Sequence, residues 1–466
     1  MNRCVFLMAA GVSVAAAGPS GAVTVEYANK ADPAIAFAAS DLTRLLKDVD
    51  GKVELREDPS MAAQAWRLKT EGDTLVISGR DGMGIVYGTH TFLEKHADIH
   101  WFAPDTESVP DLTGWKLPQV DESGKPAFSY REMYIGDDFI DGTWRLRNKE
   151  ANRADCGVGV HNGSPFDCHT FAYYAKALKE KRPDLFRGRT NASGLNCTDL
   201  CMMDEETRDF VADEMCRYIE SDAAKCAGKP KYMIPTFYDL SQNDGGSGYE
   251  CMCPKCKARC EAAGSYAGPN IAFASAVAER VAKRHPEVTI QTFAYSYTTE
   301  PPKDGTMAAD NVCVRYCQSH LFGPLLAGTP RGDELAAWSR HAKHFGIWSY
   351  WRTYDGQLFP FVKPPKVIAQ ELRFCRQMGV DRYMAENEAP LSRSFAMLQH
   401  WLMLKLTDDP SLDEKELTRK FFRGYYGKAA GPMSKYLAYL VRRQDESRQF
   451  LDREFFEKVN AWLDEA

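Results

Sequence analysis

The stretch that indicates the fold most clearly is "KYMIPTFYDLSQND", Lys231–Asp244. An apolar run of strand length ends in the polar pair Asn243-Asp244. A helical pattern follows further along the chain, with apolar residues on one face at Ile271, Ala274 and Val277. A strand followed by an amphipathic helix is typical of a parallel βα unit.

The same unit recurs between residues 125 and 408. The candidate strands are "FSYREMYIG", "RADCGVGVHN", "LFRGR", the opening stretch, "VTIQTFAYSY", "NVCVRYC", "FGIWSYW" and "RYMAENE". About eight such units over roughly 280 residues match the count and length of a (β/α)₈ barrel. The sequence therefore predicts an α/β protein with a TIM-type barrel, and a doubly wound open sheet is the alternative.

Two further segments flank the predicted barrel. Residues 23–120 alternate strand and helix patterns, as in "VTVEYA" followed by "DPAIAFAASDLTRLLKDV", and predict a small N-terminal α/β domain. The polar stretch "PQVDESGKPAF" then links this domain to the barrel. Residues 409–466 mix acidic and basic residues with helical patterns, which predicts a short C-terminal helical segment.

The first 22 residues have the pattern of a signal peptide. Asn2-Arg3 gives a short positive start, an apolar run continues to Ala17, and small residues around Ala22 suit cleavage. We expect a secreted or periplasmic protein without a membrane span after cleavage; an uncleaved anchor is the alternative.

Composition limits the classes of partner. The chain of 466 residues is 44% hydrophobic and 26% charged, with a net charge of −6 and both signs scattered along its length. This is the composition of a globular protein. It has no basic patch for nucleic acid or an anionic membrane surface.

Polar and aromatic residues collect where the candidate strands end, which is the functional face of such a barrel. The carboxylates there are Asp244, Asp355, Glu386 and Glu388, and the other candidates are Arg131, His161, Asn243, Tyr295, Tyr297, Trp348 and Trp351. Aromatic rings stack on sugar faces, and planar polar groups bind sugar hydroxyls. These residues predict a carbohydrate site.

Glycoside cleavage needs two carboxyl groups, one of which protonates the leaving oxygen. We predict that Asp244 is this acid and that its partner is Glu386, Glu388 or Asp355. Glu386 and Glu388 alternate along a strand, so only one can face the mouth. We expect the Asp244 carboxyl to be partly desolvated, as suits an acid at neutral pH.

Two other functions remain open at this level. One is a carbohydrate-binding barrel without catalysis. The other is a polysaccharide lyase with Tyr295 or Tyr297 as its base. None of these functions calls for a cofactor or a catalytic metal, and we expect neither.

The cysteines after Asp244 are spaced C-x-C-x₂-C-x₃-C, at Cys251, Cys253, Cys256 and Cys260. An exported protein favours disulfides, so we expect structural bonds to partners such as Cys197 or Cys201. A tetrathiolate zinc site is the alternative.

Several longer segments carry a family resemblance. The segment "TLVISGRDGMGIVYGTHTFLEKHADIHWFAP" resembles the N-terminal domain of family 20 hexosaminidases and family 67 α-glucuronidases. Five later segments together resemble domain-of-unknown-function family 4838, a family of secreted bacterial proteins with a glycoside-hydrolase-like barrel: "HTFAYYAKALKEKRPDLF", "LCMMDEETRDFV", "SQNDGG…CMCPKC", "HPEVTIQTFAYSYTTEPP" and "FFRGYYGKAAGPMSKYL".

The resemblance implies roles for three residues. Hexosaminidases carry an acidic pair at the end of strand four, which corresponds here to Asn243-Asp244. Asp244 keeps the acid role, but Asn243 lacks the charge needed for chemistry assisted by the substrate's acetamido group. The resemblance therefore implies an inverting hydrolase, and it matches Arg131 to an arginine that holds sugar hydroxyls.

Overall fold

The computed structural model describes residues 22–134, 140, 142–150, 162–186, 200–244, 250–251, 253–318, 324–351, 362–387, 394–447 and 450–466. Residues 1–21 of the predicted signal peptide lie outside these ranges. So do four of the candidate residues: His161, Cys197, Asp355 and Glu388.

The N-terminal unit is a sheet covered by two helices. Its strands are β1 (Thr24–Tyr27), β2 (Lys52–Glu57), β3 (Trp66–Glu71), β4 (Thr74–Gly79), β5 (His100–Ala103), β6 (Thr106–Ser108) and β7 (Asp121–Gly124), and its helices are α1 (Pro33–Leu45) and α2 (Gly82–His96). Five strands form one sheet in the order β1-β2-β4-β3-β7, while β5 and β6 form a hairpin. The predicted linker therefore contains β7, which pairs antiparallel with β3.

Local sequence explains where the two helices begin. The Asp32 carboxylate accepts hydrogen bonds from the amides of Ala34 and Ile35 at the start of α1. Asp81 does the same at the start of α2. These are N-caps, which satisfy amides that have no partner within the helix.

The second sheet has six parallel strands: β8 (Tyr130–Tyr134), β9 (Phe237–Asp239), β10 (Thr289–Ala294), β11 (Val312–Gln318), β12 (His344–Tyr350) and β13 (Val380–Glu386). Their order is β8-β13-β12-β11-β10-β9. The first strand thus pairs with the last, as in a closed barrel and unlike the expected order of a doubly wound sheet.

The sheet is strongly curved. The Arg382 guanidinium on β13 lies 4.3 Å from the ring centroid of Tyr130 and 3.4 Å from that of Phe237. These rings belong to the two edge strands, β8 and β9, so the edges approach each other around one side chain. Asn162, at the end of the predicted second strand, forms a parallel bridge with Phe237. The described residues thus form a half-barrel, and a complete (β/α)₈ barrel is not confirmed.

Helices connect the parallel strands and continue to the C-terminus. They are α3 (Gly142–Arg147), α4 (Phe171–Lys181), α5 (Glu205–Lys225), α6 (Pro254–Ala263), α7 (Ala267–Ala282), α8 (Pro330–Trp338), α9 (Pro365–Gln377), α10 (Ala396–Asp408), α11 (Glu414–Phe421), α12 (Ala430–Glu446) and α13 (Arg453–Glu465). Short 3₁₀ turns occur at Lys231–Met233, Ser296–Thr298 and Gly427–Ala429, and a π-helical turn spans Phe422–Tyr426. Among the described residues, none of the helices has the length and apolar character needed to cross a bilayer.

Candidate active site at the carboxyl ends of the parallel strands

The carboxyl ends of β9, β10, β12 and β13 lie at one edge of the curved sheet, because neighbouring strands run parallel. This edge carries Asp244, Tyr295, Tyr350 and Glu386. We call this group of side chains, together with Trp348, the mouth.

Glu386 is the last residue of β13 and is only 4% exposed. The indole Nε1 of Trp348 donates a hydrogen bond to Glu386 Oε2 at 2.6 Å. The Trp348 ring in turn packs edge-on against Phe293, with centroids 5.8 Å apart. The buried carboxyl group is therefore held by an aromatic donor that is itself packed against the interior.

Asp244 lies beyond the end of β9 and is exposed, so the predicted desolvation of its carboxyl group is wrong. The strand ends at Asp239, the next four residues are buried, and Asp244 is the first exposed residue of the segment. The desolvated carboxyl group at this strand end is Asp239, whose pKa is raised by burial. Asp239 accepts hydrogen bonds from Gln291, Ser241 and Thr170, at 2.9, 2.7 and 3.0 Å.

Two tyrosines lie between the carboxylates. The Tyr295 hydroxyl donates to Asp244 Oδ1 at 2.8 Å and is also hydrogen-bonded to Tyr350. Burial raises the pKa of Tyr350, and the charges of Glu386 and Asp244 both raise it further. Tyr350 also pairs with Glu386 in the register of β12 and β13. The two tyrosines therefore link the exposed Asp244 on one side of the mouth to the buried Glu386 on the other.

Two predicted binding residues, Arg131 and Trp351, lie elsewhere. Arg131 is fully buried and donates to the main-chain oxygen of Lys149 at 2.9 and 2.7 Å. Trp351 is 1% exposed and packs in the core, with its indole N–H directed at Ser349 and Tyr383. Tyr297 packs edge-on against Tyr266.

Strand alternation explains the positions of Arg131 and Trp351. Successive side chains of a strand point to opposite faces. Trp348 and Tyr350 point to the mouth, so Trp351 points outward toward the helices. On β8, Tyr130 contacts the interior Arg382, so Arg131 points away from the interior.

Asn243, another predicted binding residue, is only 7% exposed and directly precedes the exposed Asp244.

Some side chains in or beside the mouth were not among the predicted site residues. Tyr350 lies in the mouth, and Cys317 on β11 clusters with Phe293 and Trp348, where burial raises its thiol pKa. His169 is a third: its ring lies 6.0 Å from that of Tyr295, and its Nδ1 lies 2.7 Å from the carbonyl oxygen of Gln242. In the strand "VCVRYCQ", alternation places Cys317 on the same face of the sheet as Arg315. This pattern is visible in the sequence and could have indicated Cys317.

The cysteines differ from the prediction. Cys201, Cys251, Cys253, Cys256 and Cys260 are all free thiols, so the expected disulfides among them are absent. Cys201 does meet three of the others, with sulfurs of the four residues within 4.8 Å of one another. Cys260 lies outside this cluster.

Comparison with solved structures defines the class of fold. A family GH115 4-O-methyl-α-glucuronidase, BtGH115A, with specificity for decorated arabinogalactans, superposes with a TM-score of 0.55 at 12% identity. The match covers 91% of this chain and 61% of that one, so the chain spans about three fifths of the length of the glucuronidase.

Two further solved structures are also similar. An exo-β-N-acetylglucosaminidase from Vibrio harveyi has a TM-score of 0.46 at 10% identity, over 90% of this chain and 74% of that one. A β-N-acetylhexosaminidase from Bacteroides fragilis has a TM-score of 0.46 at 12% identity, over 88% and 92%.

The protein therefore has a glycoside-hydrolase-like fold. Residues 101–438 match the family described as "Domain of unknown function (DUF4838)", and the chain belongs to this family, as its sequence segments indicated. A search among curated proteins found no match.

Proposed function

We propose that this protein is an exported glycoside hydrolase that cleaves a glycan or glycoside by acid–base catalysis. One observation carries the proposal: two tyrosines link the carboxylates within one aromatic-lined mouth, since Tyr295 is hydrogen-bonded to both Asp244 and Tyr350, and Tyr350 pairs in register with Glu386. Two carboxyl groups facing one cleft are the minimum that glycoside hydrolysis requires. The fold shared with an α-glucuronidase supports the same reaction class.

The two carboxyl groups have different surroundings, and these suggest their roles. Asp244 is exposed, so a leaving group can take a proton from its carboxyl group and depart into solvent. Glu386 is enclosed and fixed by the Trp348 N–H, which suits a base that holds one water molecule. Asn243 cannot supply the charge for acetamido assistance, so we propose inversion.

Asp244→Asn tests the acid role. A positioned acid contributes about 10²–10⁴-fold, so we expect turnover on natural glycans to fall by that factor with little change in binding. Glycosides with an activated phenol leaving group need no protonation, and Asp244→Asn should cleave them at nearly the parent rate. Glu386→Gln should lose activity on both substrates. If Asp244→Asn lost activity equally on natural glycans and on activated phenol glycosides, the role of Asp244 as the acid would be rejected.

A lyase is the second candidate, because His169 lies beside Tyr295, as a tyrosine base would need. Against it, burial and the hydrogen bond to Asp244 raise the pKa of Tyr295, which disfavours the phenolate. A hydrolase releases saturated sugars only. Unsaturated products, seen by ultraviolet absorbance, would favour the lyase.

A further inference from the structure

Four cysteine sulfurs meet between two loops of the half-barrel. Cys201 lies just before α5, and Cys251, Cys253 and Cys256 lie at the start of α6. All four sulfurs lie within 4.8 Å of one another. The Cys201 sulfur is 3.5 Å from that of Cys253 and 4.0 Å from that of Cys256.

These separations do not fit disulfides. A disulfide holds its sulfurs about 2.0 Å apart. Four thiolates bound tetrahedrally to zinc at about 2.3 Å each lie roughly 3.8 Å from one another. The two measured separations, 3.5 and 4.0 Å, lie on either side of that value.

Backbone amides support negative charge on the sulfurs. The Cys256 amide donates to the Cys253 sulfur at 3.4 Å, across the N-terminus of α6. The backbone amides of Met203 and Cys253 are hydrogen-bonded to the sulfurs of Cys201 and Cys251. Amide donors and a helix N-terminus both favour thiolates over thiols. Such outer contacts also orient the ligands of a metal site.

Three of the four cysteines are closed to solvent, and Cys253 is partly exposed. Cys256 is fully buried, and Cys251 and Cys201 are 5% and 7% exposed. The Tyr266 hydroxyl donates to the Cys251 carbonyl oxygen at 3.0 Å and fixes the loop beside the cluster. Four protein ligands with no open position are the arrangement of a structural zinc site rather than a catalytic one.

We propose that Cys201, Cys251, Cys253 and Cys256 bind one Zn²⁺ ion. The ion joins the segment before α5 to the segment that follows Asp244. These two loops are far apart in the sequence, so the ion would cross-link them. This site is independent of the proposed hydrolase activity, and it replaces the structural disulfides expected from the cysteine spacing.

Metal analysis of the full chain, purified under reducing conditions without chelators, tests the proposal. We expect one zinc per chain and no stoichiometric iron. Cys201→Ser and Cys256→Ser should lose the zinc, whereas Cys260→Ser, one helical turn beyond Cys256, should keep it. A chelator should lower the melting temperature of the parent and of Cys260→Ser alike, since bound metal stabilises the folded state.

A second measurement does not depend on the variants folding. Co²⁺ exchanged into the parent protein should give the strong visible bands of tetrahedral thiolate coordination. Protein purified without reductant that is zinc-free and has fewer free thiols after denaturation than its cysteine count would contain disulfides instead and overturn the proposal. Stoichiometric iron, or no metal with all thiols free, would overturn it as well.

Discussion

Tyr295 connects the exposed Asp244 with the buried wall of the mouth. Burial raises the pKa of Tyr295, so the hydroxyl keeps its proton near neutral pH and can donate it in a hydrogen bond. It does so to Asp244 at 2.8 Å. The position of the proposed acid therefore depends on one hydroxyl group.

Replacing this hydroxyl gives a prediction at the residue scale. The proposed acid is neutral when it carries its proton, and a hydrogen bond between neutral groups contributes about 0.5–1.5 kcal/mol. We therefore expect Tyr295→Phe to lower kcat by roughly two- to tenfold on natural glycans that the parent cleaves, with a smaller change in KM. Steady-state kinetics would measure both constants.

Tyr297→Phe is the matched control, because Tyr297 packs against Tyr266. It should retain the parent kcat. Equal losses in both variants would mean that Tyr295 acts only through the packing of its segment.

At the scale of elements, buried charges join the N-terminal unit to the helices of the half-barrel. Glu94 on α2 is paired with Lys405 on α10, and Lys149 is paired with Asp408 at 2.5 Å. Burial opposes the ionisation of Glu94, but Lys405 and Lys149 outweigh it and lower its pKa from 4.5 to about 2. For Glu150 burial is likewise outweighed, here by Arg145 and His400, and its pKa is also lowered to about 2.

These shifts predict how stability depends on pH. Each carboxyl group has a lower pKa in the folded than in the unfolded state, so its contribution is complete above about 4.5 and is lost as the pH falls toward 2. Glu94→Gln should lower the free energy of unfolding near neutral pH and reduce its slope in that acidic range. Urea unfolding at several pH values would measure both effects.

Glu457→Gln is the control for this effect, because Glu457 is exposed and its ion pair with Arg453 lies on the surface of α13. It should leave both stability and slope nearly unchanged. A slope unaltered in Glu94→Gln would contradict the proposed role of the buried network.

On the scale of the whole molecule, the N-terminal unit and the half-barrel share one hydrophobic core. Polar contacts also connect the N-terminal unit with the half-barrel. Asp41 on α1 is 3% exposed and accepts two hydrogen bonds from Arg147, both at 2.8 Å. The Trp144 indole donates to the main-chain oxygen of Trp101 at 3.1 Å. We expect the two units to unfold together.

Asp41→Asn tests this coupling. Breaking a buried ion pair from one side costs about 3–5 kcal/mol, since the remaining charge loses its partner. The variant should be destabilised by that amount, and its thermal unfolding should remain a single transition by both circular dichroism and tryptophan fluorescence.

Asp121→Asn is a suitable comparison, because Asp121 and Arg67 are 59% and 49% exposed. Exposed pairs contribute about 0–1 kcal/mol, so this variant should resemble the parent. Two separate transitions in Asp41→Asn, with only one of them shifted, would show that the units fold independently.

The sequence by itself determined the parallel βα pattern, the family and the two segments that carry Asp244 and Glu386. These properties depend on local periodicity and on short motifs, which are visible without knowledge of distant contacts. The helical face of Ile271, Ala274, Val277 and Val281, for example, is fully buried, as its spacing indicates.

Only the tertiary structure decided which side chains reach the mouth and which cysteines meet. Alternation shows that Trp348 and Trp351 point to opposite faces, but both faces of a parallel sheet are covered, so hydrophobicity does not reveal which one is the interior. The four residues after the end of β9 at Asp239 are still buried, and Asp244 is the first exposed residue beyond them. Cys201 meets the other three cysteines because two loops pack together, and that contact is decided by the three-dimensional arrangement of the units and not by spacing along the chain.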